Sequence, residues 1–181
     1  MLKQIYFIGI LPPFQVAEQI SALRKNYLQG FNEASEHKKF PHITLQHTFR
    51  KTLEELDFLH EKLNMIATFF SPFSIGTGRF GHFDKRIIYI SVHYSVVLNS
   101  LYQQIHSTLQ NEMHFADNEL SNSFLPHITL EKKLTPAQFQ QGWNAIQHIE
   151  TNYIFEVDSF YIFKHDGKKW IPDSTFKMKN Q

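Results

Sequence analysis

The sequence predicts an α+β fold built from two copies of one structural unit, and three observations support this. The five residues Pro-His-Ile-Thr-Leu occur at 41–45 and again at 126–130. Each copy lies within the same order of apolar segments, which predict strand, helix, strand, helix, strand. The chain has 181 residues, 42% hydrophobic and 19% charged, which is typical of one large globular domain or two small lobes with a shared core. Internal duplication explains the repeat more simply than chance.

The first unit begins with the apolar run Ile5–Leu11, which predicts a buried strand ended by the pair Pro12-Pro13. A helix is predicted over 15–28, because apolar residues recur there at helical spacing. The motif strand follows at 40–49. The segment Thr52-Leu-Glu-Glu55 is a capping box, so a second helix is predicted to begin there. Its apolar stripe consists of Leu56, Leu59, Leu63, Ile66 and Phe70.

A strand at 73–80 completes the first unit, and a strand at 87–94 opens the second. The next helix is predicted from the stripe Leu98, Leu101, Ile105 and Leu109. The second motif strand lies at 124–132, and Thr135-Pro136 marks the start of the last helix. The segment 153–164 predicts one more strand. It is followed by a hairpin signal, Asp166-Gly167, and a returning strand at 168–171.

Charge and composition exclude several classes of protein. Lys and Arg total 18 and Asp and Glu 17, so the net charge of +1 argues against a protein whose main role is binding duplex nucleic acid through its backbone. The absence of cysteine excludes disulfides, thiolate metal sites and a cysteine nucleophile, and we expect a cytoplasmic protein. No apolar run reaches the roughly 20 residues of a membrane span, and no cleavage site follows the first apolar run. We therefore expect no membrane association, and a monomer without an obligate protein partner.

The repeated motif predicts where its side chains point. Residues two apart on a strand share a face, so His42 and Thr44 point one way, as do His127 and Thr129. The isoleucine and leucine between and after them then pack against the helices. A pseudo-two-fold arrangement of the units would bring both His-Thr pairs together in one groove.

Two imidazoles and two hydroxyls suit the cleavage of a phosphate ester without a metal. Imidazole has an unperturbed pKa of about 6.5, so one ring can accept a proton while the other donates one. The threonine hydroxyls can donate hydrogen bonds to the phosphate oxygens. No metal or other cofactor is expected: the first motif contains no carboxylate, and His47, five residues after His42 on a strand, is predicted to lie on the opposite face.

The doubled His-x-Thr motif, 85 residues apart, resembles that of the 2H phosphoesterase superfamily, and within it the 2′-5′ RNA ligase-like proteins, also described as RNA 2′,3′-cyclic phosphodiesterases. The resemblance extends over nearly the whole chain and includes Leu11-Pro12-Pro13 and Gly76-Thr-Gly-Arg-Phe80. It implies a single two-lobed domain over 1–181, with antiparallel sheets facing a central cleft and helices outside.

The same resemblance implies hydrolysis of a 2′,3′-cyclic phosphate, on RNA ends or nucleotides, to a 2′-phosphate. His42 would protonate the leaving 3′ oxygen and His127 would activate water, while Thr44 and Thr129 hold the phosphate. Bacterial members of that family commonly have an arginine five positions after the second histidine. Lys132 occupies that position here, which keeps the charge but not the bidentate geometry.

Further substrate contacts are predicted from charge and aromatic character. Arg79 and Lys132 are candidates for an anionic groove. A base is expected to stack on an aromatic ring, with four candidates: Phe49, Phe80, Phe83 and Tyr89.

Three alternative functions remain open from the sequence. The same imidazoles could serve 2′-5′ ligation, in which an RNA 5′-hydroxyl replaces water. The substrate could be a small cyclic metabolite rather than RNA. A non-catalytic module that binds RNA ends or nucleotides is also possible, although binding alone does not require two proton carriers.

Overall fold

The computed structural model describes residues 3–28, 31, 40–120 and 123–180. Strands and helices follow one another in the order β1 (Gln4–Ile10), α1 (Phe14–Leu28), β2 (Ile43–Lys51), α2 (Leu53–Thr68), β3 (Phe73–Phe83), β4 (Ile87–Val92), α3 (Val96–Asn111), β5 (His127–Lys132), α4 (Pro136–Ile146), β6 (Ile154–Val157), β7 (Ser159–His165) and β8 (Trp170–Lys177). The strands pair antiparallel throughout, which confirms the predicted α+β class. No described helix has both the length and the apolar character needed to cross a bilayer.

All the strands form one curled sheet in the order β6-β3-β4-β5-β2-β1-β7-β8. The two motif strands, β2 and β5, are neighbours at its centre, where Ile43 pairs with Ile128. The two sheets expected from the sequence are therefore the two halves of one sheet. On either side of the centre the order is the same, with β1 beside β2 and β4 beside β5, so the repeat in the sequence becomes a pseudo-two-fold axis between the motif strands.

The third strand of each unit crosses to the other half of the sheet. Strand β3 follows the first unit in sequence but pairs with β4 of the second unit. Strand β7 follows the second unit but pairs with β1 of the first. Each half of the sheet therefore contains strands from both units. The half made of β3, β4, β5 and β6 is one continuous segment of the chain, whereas the other half joins β1 and β2 with β7 and β8 from the far end of the sequence.

The apolar residues of the motif pack both central strands against the helices. Ile43, Leu45, Ile128 and Leu130 are each at most 2% exposed and belong to one core cluster. Burying each of these side chains contributes about 1.5–3 kcal/mol. Because side chains alternate along a strand, this burial turns the adjacent histidines and threonines to the concave face of the sheet.

The helices begin and pack largely as predicted. The capping box at α2 is complete: the Thr52 hydroxyl accepts the Glu55 N–H, and the Glu55 carboxylate accepts the Thr52 N–H at 2.8 Å. Leu56, Leu59, Leu63 and Ile66 are buried on its inner face. In α1 the spacing of Val16, Ile20, Leu23 and Tyr27 predicts the buried stripe, but Tyr27 is 44% exposed and Leu28 takes the buried position at its end.

One predicted strand is in fact two. The segment predicted as a single strand at 153–164 divides at Asp158 into β6, which pairs with β3, and β7, which pairs with β1 at the other side of the sheet. Local pattern cannot show this, because both pieces have strand-like sequences. The Asp166-Gly167 hairpin is confirmed: the Asp166 carboxylate accepts the N–H groups of Lys168 and Lys169 at 2.8 Å each, and Gly167 has a φ of 97°.

We predict that Ile43→Ala destabilises the whole fold, since it empties a fully buried position at the pairing between the two halves. The expected loss in the free energy of unfolding is about 2–5 kcal/mol. Urea denaturation followed by circular dichroism measures it. Ile154→Ala, at a position that is 68% exposed, is the control and should change stability by less than about 0.5 kcal/mol. Equal effects of the two substitutions would contradict the central role of Ile43.

Candidate active site

Each motif histidine is oriented by a hydrogen bond from its ring to the backbone carbonyl two residues earlier. His42 Nδ1 lies 2.9 Å from the carbonyl oxygen of Phe40, and His127 Nδ1 lies 2.7 Å from that of Leu125. A carbonyl can only accept, so in each neutral ring the proton lies on Nδ1, and Nε2 is the basic nitrogen. The proline before each histidine restricts the residue preceding it to extended backbone, which places that carbonyl beside the ring.

Strand pairing places each histidine opposite the threonine of the other motif. The antiparallel register about Ile43 and Ile128 puts Thr129 across from His42 and His127 across from Thr44. Directly opposed residues in such a pair have Cβ atoms about 4.5–5.5 Å apart. All four side chains are partly buried on the concave face of the sheet. The two predicted His-Thr pairs therefore lie together at the centre of one cleft.

Matched β-bulges bring one further residue from each motif strand into this cleft. In β2, Thr44 pairs with Gly9 and Gln46 with Ile8, so Leu45 is an extra residue. In β5, Thr129 pairs with Tyr89 and Glu131 with Ile88, so Leu130 is extra in the same way. After each bulge the alternation is shifted by one position.

The residues after the bulges are His47 and Lys132, and both are exposed on the side of the motif histidines. The prediction that His47 lies on the face opposite His42 is therefore wrong, because it assumed an unbroken alternation. The duplication contained the missing signal: His47 lies five residues after the first histidine, as Lys132 does after the second. A role for Lys132 in the cleft thus implied a cleft position for His47.

A buried polar side chain stabilises each bulge. Gln46 is 1% exposed and donates a hydrogen bond from Nε2 to the Glu119 carbonyl at 2.7 Å. Glu131 is fully buried, and its carboxylate accepts from Arg24 Nε at 3.3 Å and from the Lys132 N–H at 3.1 Å. These contacts hold the positions from which His47 and Lys132 extend.

Burial lowers the pKa of both motif histidines. For His42 the bond to the Phe40 carbonyl opposes this effect, and the charges of Lys132 and His127 lower the pKa further. For His127 the Leu125 carbonyl opposes it, and His47 lowers the pKa further. Each ring thus feels a basic group that comes from the other unit. Without a bound anion, both imidazoles favour their neutral forms.

Aromatic rings surround each histidine. The His42 ring lies 5.0 Å from the Phe7 ring and 5.2 Å from the Phe40 ring. The His127 ring lies 5.1 Å from Phe83 and 5.0 Å from Tyr89. A Cβ on Gly81 would overlap the Tyr89 ring, so this packing depends on glycine there. These rings shield the imidazoles from water and restrict their rotation.

The remaining predicted substrate residues lie in three environments. Phe83 and Tyr89 contact His127, whereas Phe49 is 3% exposed in the core. Phe80 pairs with the fully buried Ile90 and packs against the core, so its prediction as a cleft residue is contradicted by its place on the helix-covered face. Arg79 is exposed on β3, and its carbonyl accepts the hydroxyl of Ser91, the residue paired with His127. Arg79 therefore lies at the margin of the cleft.

Among residues 3–28, 31, 40–120 and 123–180, no three His, Asp or Glu side chains are grouped so that they could hold a metal ion. The carboxylate beside the second motif, Glu131, is paired with Arg24. The described groups of the cleft are imidazoles, hydroxyls and a lysine.

Comparisons with known proteins identify the family of the chain. The model of the 2′-5′ RNA ligase superfamily matches residues 12–169, and the chain belongs to this superfamily. A protein of Oceanobacillus iheyensis is 30% identical over 176 residues, which cover 96% of this chain and 97% of that protein. One of Bacillus anthracis is 26% identical over 174 residues, with 94% and 95% covered. Both relatives are named as inferred phosphoesterases.

Solved structures show the same fold at lower sequence identity. Escherichia coli LigT, solved with 3′-AMP, superposes with a TM-score of 0.76 at 18% identity, over 99% of this chain and all of LigT. TT0787 of Thermus thermophilus gives a TM-score of 0.74 at 16% identity, with 99% and 100% covered. The bilobal 2H phosphoesterase fold predicted from the doubled motif is thereby confirmed.

The crossed arrangement of charges predicts a crossed response of the two histidines. His47→Phe removes a basic group near His127 and should raise the pKa of His127. The pKa of His42 should not rise, because a more readily charged His127 lowers it. Lys132→Met should raise the pKa of His42 in the same way. Imidazole proton shifts, followed by NMR over a pH titration, measure both values. A rise at the same histidine in both variants would contradict the crossed arrangement.

Proposed function

We propose that this protein hydrolyses a 2′,3′-cyclic phosphate, of RNA ends or nucleotides, to a 2′-phosphate without a metal ion. The observation that carries the proposal is the pairing of two His-Thr sets across the centre of the sheet. Each ring has Nδ1 bound to a carbonyl and Nε2 left to exchange protons. A phosphate held between the sets would meet a base on one side and an acid on the other.

In the proposed reaction, His127 Nε2 accepts a proton from water as the water oxygen attacks phosphorus. The bond between phosphorus and the 3′ oxygen breaks, and His42 Nε2 gives its proton to that oxygen. The product carries a 2′-phosphate and a 3′-hydroxyl. Thr44 and Thr129 donate hydrogen bonds to the non-bridging oxygens, where negative charge increases in the transition state.

The charges in the cleft make the protonation of His42, the proposed acid, depend on bound substrate. Lys132 and burial oppose protonation of His42 in the free cleft. A phosphate anion beside the ring reverses this by favouring the imidazolium. Lys132 would also attract the anion. The cleft is thus suited to acquire its proton and its substrate together.

The named complexes of a structural relative are consistent with a nucleotide substrate. Escherichia coli LigT has been solved with 3′-AMP, with ATP and with phosphate. For the present chain, a terminal cyclic phosphate on a nucleotide or RNA combines these two features, a nucleoside and a phosphate. The 2′-5′ RNA ligase superfamily model favours ligation as a second candidate. In that reaction the 5′-hydroxyl of another RNA takes the place of water. The imidazoles keep their roles: His127 accepts the proton of the attacking hydroxyl, and His42 protonates the leaving 3′ oxygen, so that a 2′-5′ linkage forms.

We expect wild type to hydrolyse nucleoside 2′,3′-cyclic phosphates in the presence of EDTA. His42→Ala and His127→Ala should each lower kcat by about 10²–10⁴-fold, as the loss of a general acid or base does. The exposed His148 supplies a control, and His148→Ala should retain full activity. Phosphorus NMR identifies the product isomer. Turnover that survives both motif substitutions would refute the mechanism, and a 3′-phosphate product would refute the assigned roles.

The lowered pKa values predict an acidic optimum for the free enzyme. The value of kcat/KM requires one neutral and one protonated imidazole, so its bell-shaped profile should have its maximum below about pH 6.5. The profile of kcat should lie at higher pH, because the bound phosphate raises both pKa values. Steady-state kinetics across a pH series measure the two profiles. A kcat/KM maximum above pH 7 would contradict the burial effect.

A binding module would behave differently from an enzyme. If wild type converts none of the cyclic phosphates or RNA ends but binds them, and His42→Gln with His127→Gln preserves the affinity, the catalytic proposal fails. Calorimetry with the same ligands measures this affinity. An enzyme should instead lose turnover in these variants while it still binds.

A further inference from the structure

A second cavity opens on the same half of the sheet as His42, at the other end of β1. Its volume is about 520 Å³. It is lined by residues from the start of β1, the end of β2 and the β7–β8 hairpin, chiefly Lys3, Ile5, Arg50, Lys164, His165 and Asp166.

The lining of this cavity is predominantly positive. Lys3, Arg50 and Lys164 form no ion pair with any carboxylate in the described part of the chain. The single acidic residue in the lining, Asp166, accepts the N–H groups of Lys168 and Lys169, which lower its pKa and keep it ionised, but the three cations outnumber it. The cavity therefore presents several cations to a ligand, and the ligand it suits is an anion.

Strand register connects this cavity with the catalytic cleft. Ile5 pairs with Arg50, and Phe7, two residues further along β1, lies on the same face as Ile5. The Phe7 ring lies 5.0 Å from the His42 ring. Gly9, which pairs with Thr44, is about 13 Å from Ile5 at the usual rise of a strand. Ile5 and Arg50 thus lie on the same face of the sheet as the cleft, whereas Lys164, which pairs with Tyr6, lines the cavity from the other face at the strand end.

Aromatic rings line the way between the two sites. The Phe7 ring is 4.8 Å from that of Trp170, and the Trp170 ring is 5.0 Å from that of His165, which lines the cavity. Phe163 stacks on Phe7 at 4.5 Å. Phe7 and Phe163 are buried, so the rings open to a base are those of the half-buried Trp170 and His165. Accessible rings followed by cations are the elements with which proteins hold single-stranded nucleic acid, because bases stack on the rings and phosphates meet the cations.

We propose that this cavity binds backbone phosphates of an RNA strand whose cyclic-phosphate end lies in the catalytic cleft. The preferred substrate is then a single-stranded RNA of several nucleotides rather than a mononucleotide. This inference rests on the proposed function for the chemistry at the strand end. The rings between the sites favour a polynucleotide over an acidic peptide, since a peptide of carboxylates does not require stacking surfaces.

Substrate length provides the test. We expect kcat/KM to rise by about tenfold or more from a nucleoside cyclic phosphate to a cyclic-phosphate-ended hexanucleotide, and the rise to shrink as salt is added. Lys3→Glu combined with Arg50→Glu should remove the effect of length and leave hydrolysis of the mononucleotide within about twofold. The control is Lys25→Glu, which reverses one charge at an exposed position of α1. This variant should retain the effect of length.

The outcomes separate this inference from the proposed function. Activity on the mononucleotide with no gain from length would overturn the RNA path and leave the phosphodiesterase intact. A gain from length that persists in the double variant would also overturn it, because the strand would then bind elsewhere. No hydrolysis at any length would refute the proposed function itself. If the double variant fails to fold by circular dichroism, Arg50→Gln alone should still halve the gain or more, and an unchanged gain would count against the path.

Discussion

The contact between Ile43 and Ile128 is the constraint on which the arrangement of the cleft depends. It is where the two motif strands pair, and both side chains are fully buried among the helices. Their burial fixes which face of each strand is concave, and the antiparallel register then sets each histidine opposite the other motif's threonine. A single-residue slip would turn the histidines toward the core. The geometry of the polar groups is thus set by apolar packing directly behind them.

The cleft combines symmetric backbone geometry with asymmetric charge. Both rings are held by a carbonyl two residues earlier, and both strands bulge at the same point. The groups placed by the bulges differ, however: a lysine, Lys132, lies near His42, while an imidazole, His47, lies near His127. Two rings in similar surroundings can in this way acquire different proton affinities, as an acid–base pair requires.

Much of the fold and the centre of the site could be predicted from the sequence because they depend on local patterns. The capping box at Thr52, the stripe of α2 and the doubled motif each have a short-range signature. The positions of His47 and Phe80 could not be obtained in this way. His47 depends on a bulge, which follows from pairing with β1, and Phe80 depends on pairing with β4. The division of the last predicted strand at Asp158 likewise arises from partners distant in sequence.

Because β3 and β7 each pair with a strand of the other unit, neither unit is structurally independent. Each unit donates its third strand to the other, so one unit alone would leave the outer edge of β1 or β4 exposed to solvent and to other chains. Two free copies could satisfy both edges only by exchanging that strand, as swapped dimers do. The single chain therefore has the topology of a strand-exchanged pair of protomers, in which a cut between β3 and β4 would leave two fragments still joined by the pairing of β3 with β4 and of β7 with β1.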